Sequence, residues 1–488
     1  MEDGGQRDHR AVEHRAVRAG SALRAAPDNV PVGVSLPEIL EATGGTLVSG
    51  SPDTTFRTLH TDSREVEPGA LFVALKGESQ DGHTYISDAL SRGATGILCE
   101  RAPLTAGSAS LIRVPDTKAA LIALTRDRLQ RHRLPIVAVT GSSGKTTTKD
   151  LIAHVLGRRL RVRKSEGNLN TYTGIPRTIF QMDAQDRALV VEYAMSHAGE
   201  IRELTEIAPP TVAVVLNVGL AHVGLLGSIE AVAAAKRELV EGLAPDGLAI
   251  LNADDPRVSA MATAARRSTF YGLSREAAVR AERVRLHGLN GSFFRLKTPR
   301  GEADVFLRLP GRHSVSNALA AAAVALEFDF DPAGIASALH GFAPPDHRMN
   351  IVPGRKGSTL IDDCYNANPG SMRAAFDVLR MAPRGSVRVA VVGDMLELGQ
   401  EAERAHQEAG TLAKDSADHL IALGEQASTV VEAARRAGFP KDRAVVALNQ
   451  EDALTRLELL ISPKTHVLIK GSRGMRMETI VDALREEA

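Results

Sequence analysis

Short apolar runs ending in Gly, Asn or Asp alternate with stretches of helical period along nearly the whole chain. That alternation predicts α/β architecture, in which strands buried on both faces are covered by helices. From Leu36 to about Pro115 the pattern is mixed and broken by turns such as Lys76-Gly-Glu-Ser-Gln-Asp-Gly-His83. A second block opens at Pro135, with candidate strands Ile136–Val139, Leu189–Val191, Val212–Leu216 and Leu248–Leu251. A third follows the loop Gly341–Arg348, with candidate strands Val387–Val392, His419–Leu423 and His466–Ile469. Three domains are therefore expected, over 34–127, 128–347 and 348–488. Residues 1 to about 33 mix five acidic residues with five arginines, have little to bury, and read as a disordered tail.

The run Val137-Ala-Val-Thr-Gly-Ser-Ser-Gly-Lys-Thr-Thr-Thr148 changes the picture from fold to chemistry. The common phosphate loop, G-x-x-x-x-G-K-[ST], would need glycine at 139, where the chain has Val139. Gly141, Ser142, Ser143 and Gly144 make a shorter turn between a strand and a helix opening at Lys145. Leu151, Ile152, Val155 and Leu156 give that helix one apolar face. Glycines let backbone N–H groups converge on phosphate oxygens, and a helix N-terminus adds partial positive charge. In such a loop Lys145 reaches the β- and γ-phosphates, and the Thr146 hydroxyl ligates Mg²⁺. A bare glycine turn is the alternative; Lys145, Thr146 and Thr147 following in this context favour a nucleotide. The apolar run Ala188–Glu192 ends in a carboxylate suited to a second Mg²⁺ anchor.

The helical segment Ser228–Val240 has an apolar stripe of Ile229, Val232, Ala233 and Val240 with Lys236 in the same register, while Arg237 and Glu238 fall off it. An ammonium there either snorkels to solvent or sits in an active site as an amine of lowered pKa. His222, on a loop after a strand, is a candidate metal ligand or an ordinary surface histidine.

Composition narrows the class. Lys plus Arg equals Asp plus Glu at 59 each, so bulk charge gives no reason to expect nucleic acid or an anionic membrane as partner. Two distant cysteines, Cys99 and Cys364, point to a reducing compartment. No apolar run approaches the roughly 20 residues that span a bilayer, and the first residues lack a signal-peptide core. A cytoplasmic enzyme acting on small molecules, and a monomer, is expected.

Taken together, T-G-S-S-G-K-T-T at 140–147, N-A-D-D at 252–255 and G-R-H-S-V-S-N-A-L-A at 311–320 resemble the Mur ligase superfamily of ATP-dependent amide ligases. D-D-C-Y-N-A-N-P at 362–369, G-D-M-L-E-L-G at 393–399 and K-G-S-R-G-M-R-M-E at 470–478 resemble the branch that joins D-Ala-D-Ala to UDP-MurNAc-tripeptide. T-D-S-R at 61–64, L-F-V-A-L-K-G at 71–77 and D-G-H at 81–83 fit the same branch. The resemblance covers about residues 36 to 488. It implies three α/β domains: a substrate-binding one, a central parallel-sheet ATPase with the phosphate loop, and a Rossmann-like C-terminal one. It also implies an acyl-phosphate mechanism with ATP and two Mg²⁺ ions, and closure of the third domain on the second.

Roles follow by resemblance. Gly141, Ser142, Ser143, Gly144, Lys145, Thr146 and Thr147 match the ATP loop. Thr146, Glu192 and His222 match metal ligands, joined by Lys236, which matches a lysine carbamylated by CO₂ in many of these ligases. Asn252 matches an adenine-side contact, His313 and Asn317 the ATP site, Arg348 a residue near the γ-phosphate, and Asp363 the ribose carboxylate. Ser63 and Arg64 match the UDP end, and Asn168, Asn170 and Thr171 the sugar diphosphate. Lys470, Ser472 and Arg473 match contacts to peptide carboxylates or the dipeptide. The chain departs from the usual pattern at Tyr193 and Ala194, at Ser314, at His347 in place of glycine, and at Thr171 with Tyr172. The nearest alternatives are a tripeptide-forming ligase or a folylpolyglutamate synthase, but the D-N-P-R run of the former is missing. A GTPase switch would carry N-K-x-D, which the chain lacks.

Overall fold

The structure, a computed structural model, describes residues 33–77, 80–101 and 107–486. The tail expected over residues 1 to about 33 falls, but for its last residue, outside them.

The candidate strands of the second block all form, because each is an unbroken apolar run that can be buried on both faces. Ile136–Thr140 and Ala188–Glu192 are buried at every position. They belong to a nine-stranded sheet ordered Gly301–Leu307, Ser292–Thr298, Val279–Leu286, Arg267–Gly272, Leu248–Asn252, Val212–Val215, Ile136–Thr140, Ala188–Glu192, Val162–Lys164. The strands from Val162–Lys164 through Val279–Leu286 run parallel, and an antiparallel hairpin completes the far edge. Ile136–Thr140 has the next two strands of the chain, Val162–Lys164 and Ala188–Glu192, on one side and the one after them, Val212–Val215, on the other. The loop after it therefore opens where the strand order reverses, the usual place for a ligand in such sheets. One apolar layer, with Leu151, Val155, Leu319 and Val324, covers one face. Another, with Ile175, Leu204, Val232 and Leu239, covers the other.

The first sheet is ordered Thr46–Ser49, Ser110–Arg113, Gly96–Cys99, Ala70–Val73, Thr58–His60, with only the first pair antiparallel. The helix Thr117–His132 crosses position 127 and packs Leu121 and Leu124 into the core of that first sheet. The third sheet is ordered Asn350–Gly354, Ser358–Asp362, Thr465–Lys470, Val387–Val392, His419–Leu423, Ala444–Ala447, parallel except at its first pair. Two of its strands start and stop where the apolar runs do.

One part of the helical register needs correcting. In the helix Ile229–Glu241, capped by Ser228, Lys236 is buried as its position on the stripe requires, but Glu238 is buried too. Its carboxylate accepts from the backbone N–H groups of Gly199 and Arg202, each at 3.0 Å. It thus serves the free amides at the start of the helix Glu200–Ile207, a demand no periodicity reveals.

Candidate active site

A cleft of about 670 Å³ lies between the central and third sheets. The phosphate loop forms its floor. Gly144 takes φ +83°, and a Cβ there would stand 2.8 Å from Asn317 Oδ1, so only glycine fits. Asn217, at the end of the neighbouring strand, clamps the loop: Ser143 N–H donates to its Oδ1 at 2.9 Å, and its Nδ2 donates to Ser143 O at 3.0 Å. Ser142 Oγ donates to Gly219 O at 3.1 Å and accepts from Gly219 N–H at 2.8 Å.

At the far end of the loop the Thr146 hydroxyl donates to Glu192 Oε2 at 2.7 Å, and Asn170 Nδ2 donates to Oε1 at 3.0 Å. The Glu192 backbone is held by Ser165, which a buried lysine braces in turn. Lys149 Nζ donates to Ser165 O at 2.5 Å, and Ser165 Oγ accepts from Glu192 N–H at 3.3 Å. Lys145 reaches back to Gly141 O at 2.9 Å. Burial lowers the Lys145 pKa, Arg348 lowers it further, and Glu192 opposes both. Lys236 lies behind the cleft wall, 2% exposed, and makes no hydrogen bond or ion pair among the described residues. Burial and the facing Lys145 push its amine well below the ordinary lysine value, against the pull of Glu192. His222, at φ +61°, points Nδ1 to 2.7 Å from Glu397 Oε2, out of line for a hydrogen bond. Its pKa is lowered by burial first and by Lys145 next. Burial likewise keeps His313 neutral more readily than a free imidazole.

The third sheet supplies the opposite wall. Arg348 stacks its guanidinium 3.9 Å from the centre of the Tyr365 ring, and Arg473 lies 5.6 Å from the same ring. Asp363 accepts from Met349 N–H at 3.1 Å and from Lys470 Nζ at 2.5 Å. Lys470 also donates to Asn366 O at 3.0 Å, so this 1%-exposed ammonium serves to orient Asp363. His347 takes φ +61°, which explains a glycine preference at this position. Its Nδ1 lies 3.0 Å from the fully buried Asp362 carboxylate, which also accepts from the Cys364 thiol at 3.1 Å.

The cleft thus brings together Ser142 to Thr147, Asn168, Asn170, Glu192, His222, His313, Asn317, Arg348, Asp363, Lys470 and Arg473. Ser63, Arg64, Thr171, Asn252 and Ser472 stand off its lining. Arg64 pairs with Asp62 at 2.6 Å on the surface. Asn252 Nδ2 donates to Leu216 O at 2.8 Å and its Oδ1 accepts from Asp254 N–H at 2.9 Å, bracing the strand end. Ser472 Oγ accepts from Leu396 N–H at 2.9 Å. Asn217, Glu397, Tyr365 and Asn368 line the cleft without having been singled out. The signal was present for Asn217, a polar residue ending a parallel strand, and for Glu397, a charge inside an apolar turn.

Lys145 and Lys236 both lie in the field of one carboxylate, Glu192, and Arg348 faces Lys145, so the site is arranged for an anionic ligand. Comparison with known proteins agrees. Residues 139–325 match the Mur ligase middle domain, residues 347–473 the Mur ligase glutamate ligase domain, and residues 55–130 the Mur ligase family catalytic domain. The UDP-N-acetylmuramoyl-tripeptide–D-alanyl-D-alanine ligase of Bacillus subtilis (strain 168) is 35% identical over 92% of this chain and 97% of its own. MurF from Acinetobacter baumannii superposes with a TM-score of 0.84 at 32% identity, covering 93% of this chain and 99% of that one. MurF ligase from Thermotoga maritima, solved in complex with ADP, gives 0.77 at 28% identity over 87% and 96%. With a phosphate loop at the switch point, a three-domain build and matches across all three sheets, the chain belongs to the Mur ligase family.

Proposed function

We infer that this enzyme joins D-Ala-D-Ala to UDP-MurNAc-tripeptide, with ATP cleaved to ADP and phosphate, and so forms UDP-MurNAc-pentapeptide for peptidoglycan. The observation that carries the reading is the phosphate loop facing Arg348 and Asp363 across one cleft, in a chain similar over nearly its whole length to ligases of that activity.

The terminal carboxylate of the tripeptide takes the γ-phosphoryl group, giving an acyl phosphate and ADP. The dipeptide amine attacks the acyl carbon, a tetrahedral intermediate forms, and its collapse expels phosphate. The amide forms and the acyl–oxygen bond breaks, with the amine proton passing to solvent or a base. The protein positions the reactants and offsets their charge. Lys145 and the loop N–H groups hold the phosphates, Arg348 meets the transferring group from the opposite wall, and Asp363, oriented by Lys470, receives the ribose hydroxyls. His313, Asn317 and Asn252 belong to the nucleotide end. Ser63, Arg64, Asn168, Asn170 and Thr171 are assigned to the UDP-sugar, and Ser472 and Arg473 to the peptide side.

The donors fit magnesium, because a hydroxyl and a carboxylate 2.7 Å apart are hard oxygen ligands at the mouth of the loop. Thr146 and Glu192 would hold one ion; His222 and a carbamylated Lys236 would complete the set for a second. When bound, magnesium neutralises phosphate oxygens. An amine whose pKa burial has lowered is the form that captures CO₂, and the carbamate would turn an unpaired buried cation into an anion. A first border moved from 127 to the link after His132 by the helix Thr117–His132, a second near 347, a monomeric state and a cytoplasmic location complete the reading; the location follows from substrates that are ATP and a nucleotide sugar. No helix among the described residues is long and apolar enough to cross a membrane.

Phosphate release with paired substrates tests the assignment. Release should require UDP-MurNAc-tripeptide and D-Ala-D-Ala together. Equal release with UDP-MurNAc-dipeptide plus a diamino acid, or with folate plus glutamate, would overturn it.

A further inference from the structure

The two walls of the cleft touch at the phosphate loop itself. Asn368 is the N-cap of the helix Pro369–Leu379 in the third domain, and forms a capping box with Ser371. Its Oδ1 accepts from Ser371 N–H at 3.0 Å. The same oxygen accepts from Ser143 Oγ at 3.0 Å, and Nδ2 donates to Ser142 O at 3.2 Å. The orientation of the amide is fixed by chemistry: a backbone N–H can only donate and a backbone carbonyl can only accept. The Ser142–Ser143 segment is therefore gripped by two asparagines, Asn217 from its own domain and Asn368 from the domain that must close.

Asn368 is not the only seat. A Cβ on Gly224 would meet Gly399 N at 2.5 Å, and Gly224 N–H donates to Glu397 O at 3.2 Å. Val223 is buried in the third domain's apolar cluster with Met395 and Leu398. That second seat holds the turn beside His222 by backbone contact and apolar packing, and does not touch the phosphate loop. Among the described residues, Asn368 alone hydrogen-bonds from the third domain to backbone and side chain of the residues that precede Gly144 and Lys145.

We propose that Asn368 is a positioning residue that latches the third domain onto the Ser142–Ser143 segment, so that closure is completed only when the phosphate loop holds its nucleotide-competent shape. The latch makes the position of Arg348 and Asp363 depend on the loop they must face. It rests on the ligase reading for the reaction, but not for the domain motion. Two hydrogen bonds of ordinary strength shift a closure equilibrium by roughly tenfold.

The test compares Asn368→Ser and Ser143→Ala, singly and together. Serine caps a helix as well as asparagine but is too short to bridge to the loop. Spin or fluorescence labels on the central and third domains report closure with Mg-ATP, with and without the other substrates. Asn368→Ser should keep the wild-type melting temperature, move the distance distribution toward the open form, and lower kcat about tenfold. Ser143→Ala should do the same more weakly, and the double variant should lose less than the two single losses multiplied. A wild-type distance distribution and kcat in Asn368→Ser would return the residue to capping alone and overturn the proposal. So would fully multiplicative losses. Failure of the ligase reading is separate: wild-type enzyme would then not turn over the paired substrates, whatever the labels show.

Discussion

Replacing Lys236 by methionine should make the enzyme more stable and nearly inactive at once. The side chain is 2% exposed, faces Lys145, and feels from a distance the Glu192 carboxylate, whose oxygens accept from Thr146 and Asn170. Folding at neutral pH must therefore either bury an unpaired cation or release its proton. Methionine fills a similar volume without that cost, and such replacements of buried charge gain roughly 1–4 kcal/mol. In a domain of this size each kcal/mol moves the melting temperature by about 2–4 °C. Calorimetry in CO₂-depleted buffer should thus show a rise of about 2 °C or more. The pH dependence has a definite sign. The folded pKa is lowered below 10.5, so the folded state holds fewer protons than the unfolded chain and wild-type stability rises with pH up to that value. The advantage of Lys236→Met should therefore shrink between neutral pH and about pH 10, near the unfolded lysine value. Phosphate release should fall by roughly a hundredfold or more, as for a lost metal-site partner. Bicarbonate should raise wild-type activity and leave the variant unchanged. A variant with wild-type turnover, and a melting temperature at or below wild type, would refute the reasoning and make Lys236 a snorkelling surface lysine.

Three further outcomes are expected. Glu192→Gln presents an amide N–H₂ where Thr146 and Asn170 both donate, and removes a hard ligand; titrations of phosphate release should show a raised magnesium requirement and at least a roughly tenfold loss of kcat. Gly144→Ala forces a Cβ to within 2.8 Å of Asn317 Oδ1 at φ +83°, so calorimetric binding of a non-hydrolysable ATP analogue should weaken at least tenfold while stability drops by about 1–2 kcal/mol. His132 is fully buried, with both ring nitrogens lacking partners among the described residues, and burial first and Arg128 next lower its pKa from 6.5 to about 4. Its folded state favours the neutral ring, so stability is present above pH 6.5 and is lost as pH falls toward 4. Denaturant titrations at pH 7 and 5 should differ by about 2 kcal/mol from this group, and His132→Phe should remove that part of the difference.

Much of this architecture was legible along the chain because its strands are buried on both faces. Val387–Val392, interrupted only by Arg388, and His419–Leu423, apolar after its first residue, are closed by polar turns, and they form at those residues. The loop at Gly141–Gly144 was legible for a different reason. Close approach of backbone to phosphate demands glycine, and an apolar run ending in Glu192 places a carboxylate at a neighbouring strand end. What stayed hidden is which polar groups are spent on one another. Lys470 and Asp363 are 107 positions apart and meet at 2.5 Å. Ser143 and Asn368 are 225 apart and share a hydrogen bond. Glu238 looked like a solvated residue and serves the start of another helix. No local pattern encodes such pairs, because tertiary distance alone decides them.

That distinction bears on how the site should be read. Asn252, Ser472 and Lys470 have their hydrogen-bonding capacity used by neighbouring protein atoms, so their first task is to hold strand ends and loops in place. Arg348 stacks on Tyr365, yet its guanidinium meets no carboxylate among the described residues, and Lys236 meets no partner at all there. Buried or half-buried charge without a partner is costly, so a fold tolerates it only where something else supplies the counter-charge. The resemblance to known ligases says which positions to consider. The unspent valence says which of them await a ligand. Both criteria single out Arg348 and Lys236 at the phosphate loop; when an anion arrives there, Arg348 should lose its pKa-lowering influence on Lys145, and Lys145 its influence on Lys236.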